Sequence, residues 1–514
     1  MSKSLVDSTA DDLQKNKKMF LDILDRSTYA LEYDRLSSTL HSSSVTSSYG
    51  YEFQGRNRNG EGELSSPQMN HLHSIIKRLS IAGCHEACIE AYRNSRKSVV
   101  DARCRRFCTV KRTMDDLQRF ECEEFATEIR IWIDTANICY NNIFPEERNY
   151  YKQIFYGVGS VTDDKCFLAI IKPLAIELNN FADAASYISS FQKLFAVLDL
   201  YKALFSLLPK IQGTFNSASC RIISEAALKT IDSLAIQVRK LFCSFEDTVF
   251  NEQSKTLPAE GTIHSMTTYA MKFVISISVY KELLTDIIVS RPTKSLGTQA
   301  YDQFLEASRG SPLELHVIWI IISLKINLEG KSSLYGDSSL RHVFIMNNVN
   351  RIFKTITGSP ELLKMIQEEY LSELSKEVVQ AAEDYSTSIS DKFLYCLRDD
   401  GLNFRYAFSN WIVKNSVKKR IKAFNTTFEE ASRIQSRMPV LDVYIPFHLH
   451  ELILSKLLPA YKLFLQKYGS LLQSEREEGH GSVRLCFGIC CLDAIARNVA
   501  RDCDSAFVLC FSLD

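Results

Sequence analysis

The sequence predicts an all-α protein of roughly 15–20 helices, near or above the average helix length of about 11 residues. Three observations lead there. The chain has 19 glycines and 11 prolines in 514 residues. That is about half the usual combined share, so the turn punctuation of a sheet-rich fold is missing. Long segments repeat apolar residues at steps of three and four, which stay on one face of a helix turning every 3.6 residues. Sustained period-two alternation, the mark of half-buried strands, is absent. A single core stops growing near about 250–300 residues, so a chain of this length needs several packed units.

In chain order, residues 1–36 suit a short helix, and 37–66 form a Ser-rich stretch with Gly and Asn that has little to bury and is expected to be mobile. The N-terminus has no apolar stretch of signal-peptide length, and residue 2 is Ser rather than the Gly that myristoylation needs. Helical sequence starts at Pro67. Ser66-Pro67, Ser311-Pro312 and Ser359-Pro360 each put a capping Ser before a Pro suited to the first turn. Glu329-Gly330 and Asp400-Gly401 look like stops. Leu194, Leu198, Tyr201, Phe205 and Leu208 form one apolar stripe. Tyr269, Phe273, Ile277, Tyr280, Leu284 and Ile287 form another, and both are expected to pack in the core. The strongest apolar run, Val317–Ile322, lies between Glu314 and Lys325. That is too short to span a bilayer and reads as a buried helix. The 15 cysteines read as reduced thiols in a cytosolic protein. Cys84/Cys88 and Cys104/Cys108 are spaced by one helical turn and read as buried small residues rather than zinc ligands.

The 61 basic and 61 acidic residues cancel, which argues against a globally basic nucleic-acid binder. Catalytic patterns fail one by one. Gly330-Lys331-Ser332 has Lys325 where a phosphate loop needs its first Gly. Asp115-Asp116 and Asp163-Asp164 are followed by Arg119 and Phe167 where a helical magnesium motif needs a third Asp. His85-Glu86 and His450-Glu451 lack the second His of a zinc-protease helix. The chain therefore reads as not an enzyme, with no catalytic residue, metal or cofactor expected. One feature departs from neutrality. Lys414, Lys418, Lys419, Arg420, Lys422, Arg433 and Arg437 crowd a stretch holding only Glu429 and Glu430 in opposition. These seven are the candidate anionic-lipid contacts; the plainer alternative is a solvated helix face. Phe424 and Phe428, one turn apart, are expected to face the core rather than stack on bases.

Several segments then carry a resemblance to the plant-type seventy-kilodalton exocyst subunit family. Gly261-Thr-Ile-His264-Ser-Met-Thr-Thr-Tyr269-Ala-Met271 resembles the family's Gly-Thr-x-His-Pro-Leu-Thr-Arg-Tyr-Val-Met signature. Leu340-Arg-His-Val-Phe344-Ile-Met346-Asn347-Asn348-Val349 resembles its Met-Asn-Asn helix. The blocks Phe181–Ala184, Lys193–Tyr201, Leu328–Lys331, Phe424–Glu430, Leu458–Tyr461 and Phe464-Leu465 extend the match, which runs from about 67 to 478. The resemblance implies an elongated rod of stacked antiparallel helix bundles. It implies a cytoplasmic protein, peripheral to the plasma membrane or secretory vesicles, that helps tether vesicles before fusion. Other exocyst subunits, a phosphoinositide-containing membrane and small GTPases are the implied partners; nucleic acid is not. The organisation expected is a short helix and flexible segment over 1–66, the helical rod over 67–478 and a Cys-rich tail over 479–514. The chain departs from the pattern at Ser265, Met266 and Thr268. The N-terminal coiled-coil region looks shortened. The tail replaces the family's basic Tyr-containing segment with a run carrying Cys486, Cys490, Cys491, Cys503 and Cys510, as a splice form or misread gene boundary would. The alternative is then a protein-interaction scaffold that has lost lipid binding.

Overall fold

The computed structural model describes residues 12–24, 63–105, 112–158, 164–252, 254, 256–258, 261–292, 305–306, 308–400, 409–436 and 444–473. Every regular element among them is helical, as the scarcity of Gly and Pro predicts. The chain divides into two compact units, Met1–Phe245 and Glu246–Asp514.

The first unit begins with α1 (residues 12–24), α2 (Ser66–Ile81) and α3 (His85–Arg105). The cap of α2 is Ser65, not Ser66: its hydroxyl accepts from the Gln68 backbone N–H, and Gln68 reaches back to the Ser65 backbone. Leu64 is already buried, so the Ser-rich stretch ends before Pro67; residues 37–62 of it lie outside the described residues. Gly83 turns the chain from α2 into α3 at φ +77°, which favours glycine.

The short α4 (Met114–Arg119) is followed by α5 (Cys122–Ile138), which widens into a π-turn, Cys139–Ile143, before α6 (Phe144–Ile154). The cause is legible. Pro145 has no N–H to donate and its ring would meet the carbonyl four residues back, so the ladder loosens there. The Phe144 N–H bonds the Cys139 carbonyl, five residues back. Then come α7 (Lys165–Ala185), α8 (Leu194–Thr214) and α9 (Arg221–Phe250), whose last residues, from Glu246, belong to the second unit. Buried between α3 and α6, Arg96 clamps Glu147 through its Nε and Nη2, and Tyr92 donates to the same carboxylate at 3.0 Å.

One apolar stripe packs differently from its expected line. Leu194 and Leu198 of α8 are buried, but Phe205 is 54% exposed. The seam that packs is Val197, Leu200, Leu204, Leu207 and Ile211. It steps by three and four just as well, and in so apolar a helix two adjacent lines fit the same period.

The second unit holds α10 (Ser265–Val279), α11 (Lys281–Ile287), α12 (Pro312–Ser332) and α13 (Ser338–Thr357). It continues through α14 (Pro360–Leu363), α15 (Glu368–Cys396), α16 (Ser409–Ser436) and α17 (Tyr444–Gln473). Ser311 and Ser359 cap α12 and α14 as expected, accepting from Glu314 and Leu362. The apolar run Val317–Ile322 is buried throughout inside α12, and no helix among the described residues is long and apolar enough to cross a membrane. Gly330 does not stop α12, which runs on to Ser332. The capacity of Gly to end a helix is used only where the chain must turn, and here Lys331 and Ser332 still pack inward. α15 ends at Cys396, and Gly401 lies outside the described residues. The second stripe is sound at Phe273, Ile277, Leu284 and Ile287, with Tyr269 at its exposed edge.

Val343 and Met346 of α13, Tyr385, Ile389 and Phe393 of α15, Val417, Ile421 and Phe424 of α16, and Leu457, Tyr461 and Phe464 of α17 share one core. Phe393 meets Phe424 and Phe428 while Arg420 reaches the carbonyls of Arg398 and Asp400, so α15 and α16 run antiparallel in this bundle. The tail 479–514 lies outside the described residues.

Candidate functional site

α16 places the basic cluster. Val413, Val417, Ile421, Phe424 and Ala431 are its buried stripe. Phe424 lies 5.2 Å from Phe393 and 5.1 Å from Tyr461 between ring centroids. Phe428 packs against the same core, so both aromatics face inward as expected. At about 100° per residue, Lys419, Lys422 and Arg433 fall opposite this stripe, and all three are exposed. Lys418 flanks them, half-buried, and Lys414 sits one turn earlier, also half-buried. Glu429 and Glu430 share the exposed side. Arg437 lies outside the described residues.

Arg420 belongs elsewhere. It sits at the edge of the buried stripe, and its guanidinium donates to the carbonyls of Arg398 and Asp400 just beyond the end of α15. Those carbonyls follow a helix C-terminus, where the backbone dipole favours a cation. Lys467 of α17 binds Asp399 beside them. That hydrogen bond holds the Asp399 carboxyl below its ordinary value despite some burial. Sequence reasoning missed the exposed Lys456, Lys462 and Lys467 of α17. The signal available was the eleven-residue spacing of Lys456 and Lys467, three turns of a helix.

A second polar constellation is buried. The chain from α9 to α10 is pinned by residues of α12 and α13. Asn327 donates to the carbonyls of Val249 and Phe250 at 2.5 and 3.2 Å, and Lys331 donates to that of Ser254. Tyr335 donates to Pro258 O at 2.6 Å, and Asn347 to Gly261 O at 2.8 Å. The Asn348 side-chain oxygen accepts from the His264 N–H at 2.9 Å and the Thr267 hydroxyl at 2.6 Å, while its amide donates to Phe344 O at 2.7 Å. Gly261 has φ +68°, and a Cβ there would lie 3.1 Å from the Leu340 carbonyl and the Phe344 nitrogen. His264 caps α10, its Nδ1 accepting from Met266 N–H at 3.2 Å. Burial, then the nearby Lys331, holds the imidazole below its ordinary value; the Thr256 backbone and Glu252 oppose this. The neutral ring that results is the form a cap acceptor requires.

Among the described residues no group of three His, Cys, Asp or Glu side chains is placed to hold a metal ion. At Cys88, burial and then Cys84 push the thiol up to about 11, the opposite of what a thiolate ligand needs.

Fold and site together define an all-helical bundle protein with a buried polar clasp and a basic outer helix face. A family model for the C-terminal region of the Exo70 exocyst complex subunit matches residues 130–480. The chain belongs to this family. It is 28% identical to the exocyst complex component EXO70A1 of Arabidopsis thaliana, over 90% of this chain and 73% of that protein. It is 27% identical to Arabidopsis EXO70B1 over 79% of this chain and 63% of the relative, and 24% identical to human exocyst complex component 7 over 51% and 35%. The chain thus spans between about a third and three quarters of the length of these relatives. Its fold is similar to a crystal structure of the S. cerevisiae exocyst component Exo70p, with TM-score 0.52 at 14% identity, covering 97% of this chain and 89% of that one.

Proposed function

We propose that the protein acts as an exocyst subunit that helps tether secretory vesicles at the plasma membrane. It does so through contacts with other exocyst subunits and with phosphoinositide headgroups, peripherally and without catalysis; small GTPases are further candidate partners. The observation that carries this reading is the display of Lys419, Lys422 and Arg433 on α16 directly opposite its buried stripe, within a chain of this family. Cations held out by a packed bundle meet an anionic surface without disturbing the core. Each contributes about 1 kcal/mol near a charged bilayer, decaying within a Debye length. Weak contacts of this kind gain strength when the same molecule is held in a larger assembly. Lys414, Lys418 and Arg437 extend the proposed contact; Arg420 is left to its carbonyls.

Sedimentation with vesicles containing phosphatidylinositol 4,5-bisphosphate tests the reading. Lys418, Lys419, Lys422→Ala is expected to weaken binding by about 100-fold, the sum of three such contributions, and rising salt is expected to weaken the parent chain likewise. Equal binding by parent and variant would remove α16 from the membrane. Glu429 and Glu430 on the same exposed side favour a second reading, in which this face meets a protein of mixed charge and lipid binding is lost. That reading expects no vesicle binding by the parent chain and retained co-purification with exocyst subunits.

A further inference from the structure

Cys104, expected from the sequence to be a buried small residue, is buried and lies against Cys139. Their sulfurs are 3.1 Å apart, although 35 residues separate them. Ordinary non-bonded heavy atoms stand at about 3.5–4.0 Å, and a disulfide at about 2.05 Å. The two thiols are therefore already within about 1 Å of bonding distance. Both are buried, at 3% and 1% exposure. No third ligand is placed to make the pair a metal site among the described residues.

We infer that Cys104 and Cys139 form a reversible disulfide, a redox modification site that ties the end of α3 to the π-turn between α5 and α6. Two features favour it beyond distance. Cys104 lies in the last turn of α3, and helix ends fray, giving an oxidant access that a mid-helix thiol lacks. Cys139 opens the π-turn, where the widened ladder can take up a shift of the backbone more easily than a regular helix. The neighbouring Tyr140 reports the same surroundings: burial raises its phenol, and the Cys139 and Cys104 thiols add to that effect.

The oxidant is a peroxide or a disulfide-bearing small molecule. With hydrogen peroxide, one thiol displaces water from the O–O bond and becomes a sulfenic acid. The second sulfur then attacks that sulfur and expels another water. Two thiol protons and two electrons leave the protein, and one peroxide becomes two waters. A thiol reductant reverses the bond by exchange.

The test uses the full chain. After hydrogen peroxide treatment, alkylation under denaturing conditions and non-reducing digestion, mass spectrometry is expected to find the peptides of Cys104 and Cys139 joined. Two fewer thiols should be alkylated, and dithiothreitol should restore both. Cys104→Ser and Cys139→Ser should each abolish the joined peptide. Thermal melting should rise on oxidation in the parent chain and not in either variant. Complete alkylation of both residues after oxidation, or joining of Cys104 to another cysteine, would overturn the assignment. The peptide map of the parent chain decides the matter even if a variant fails to fold.

Discussion

Asn348 and Lys422 lie in the same unit and use polarity in opposite ways. Asn348 is wholly buried, with its oxygen and amide both engaged by His264, Thr267 and Phe344. Lys422 is exposed, on the far side of α16 from the core. The segments that make the family recognisable, Gly261–Met271, Leu328–Lys331 and Leu340–Val349, converge on the first kind of site. The residues proposed to meet the membrane are of the second kind. The difference teaches that a family signature can be a signature of scaffold. A buried amide tolerates almost no replacement, because unpaired polar groups inside a protein cost far more than paired ones return. An exposed lysine needs only its charge and its side of the helix, so it leaves a pattern in charge density and none in motif.

The sharpest way to break this division is Asn348→Ala. It strands the His264 N–H and the Thr267 hydroxyl in a buried site. The expected loss is about 3–5 kcal/mol, seen as a fall in the denaturant midpoint of the second unit with unchanged slope. Vesicle binding per folded molecule should stay as in the parent chain. A parallel fall in both would mean that the clasp and the basic face are one device. Gly261→Ala acts on the same clasp through backbone strain at φ +68° and contact with Leu340 and Phe344.

The second prediction concerns pH. His264 is held neutral in the fold, below its ordinary value of 6.5. The unfolded chain therefore takes up a proton first as pH falls. The stabilisation is complete above about 6.5 and is lost as pH drops from there toward the lower folded value. Lys331 and Glu252 are the charged groups that act on the ring. His264→Asn keeps a cap acceptor without a titrating ring, so the stability of the second unit should lose its dependence on pH over that window. Urea midpoints at pH 7 and pH 5.5 for parent and variant are the measurement. An equal fall in both places the titrating group elsewhere. Vesicle binding should follow the lysines of α16.

Much of this is legible in the sequence. Ser311-Pro312 announces a helix start because cap and first-turn chemistry are local, and Val317–Ile322 announces burial because it lies within a run of ten uncharged residues. The inward facing of Phe424 and Phe428 follows from a single helical turn. The failures, the local Ser65 cap apart, share a cause. In α8, apolar residues occupy two neighbouring lines, and only the partner helix selects Val197–Ile211 over the line through Phe205. Ser65 displaces Ser66 as the cap because Gln68 completes a box with it. The clasp joins residues more than eighty positions apart, a proximity that no local pattern encodes. The nearness of Cys104 to Cys139, 35 positions apart, is hidden from the sequence for the same reason.

Arg420 gives the smallest and most discriminating effect. By sequence it is one more cation between Lys419 and Lys422. By structure it is bound to the carbonyls after α15, which puts it with Asn348 rather than with its neighbours. Arg420→Ala is expected to cost about 1 kcal/mol of stability, the scale of a lost helix-terminal cation with its hydrogen bonds. Vesicle binding should change less than twofold. Lys419→Ala should do the reverse, leaving the midpoint in place and weakening binding by about fivefold. Measured side by side, the two substitutions separate a charge that holds the protein together from one held out toward a partner. Equal loss of binding in both would mean that Arg420 leaves α15 when the membrane arrives, and that the end of α15 is part of the contact.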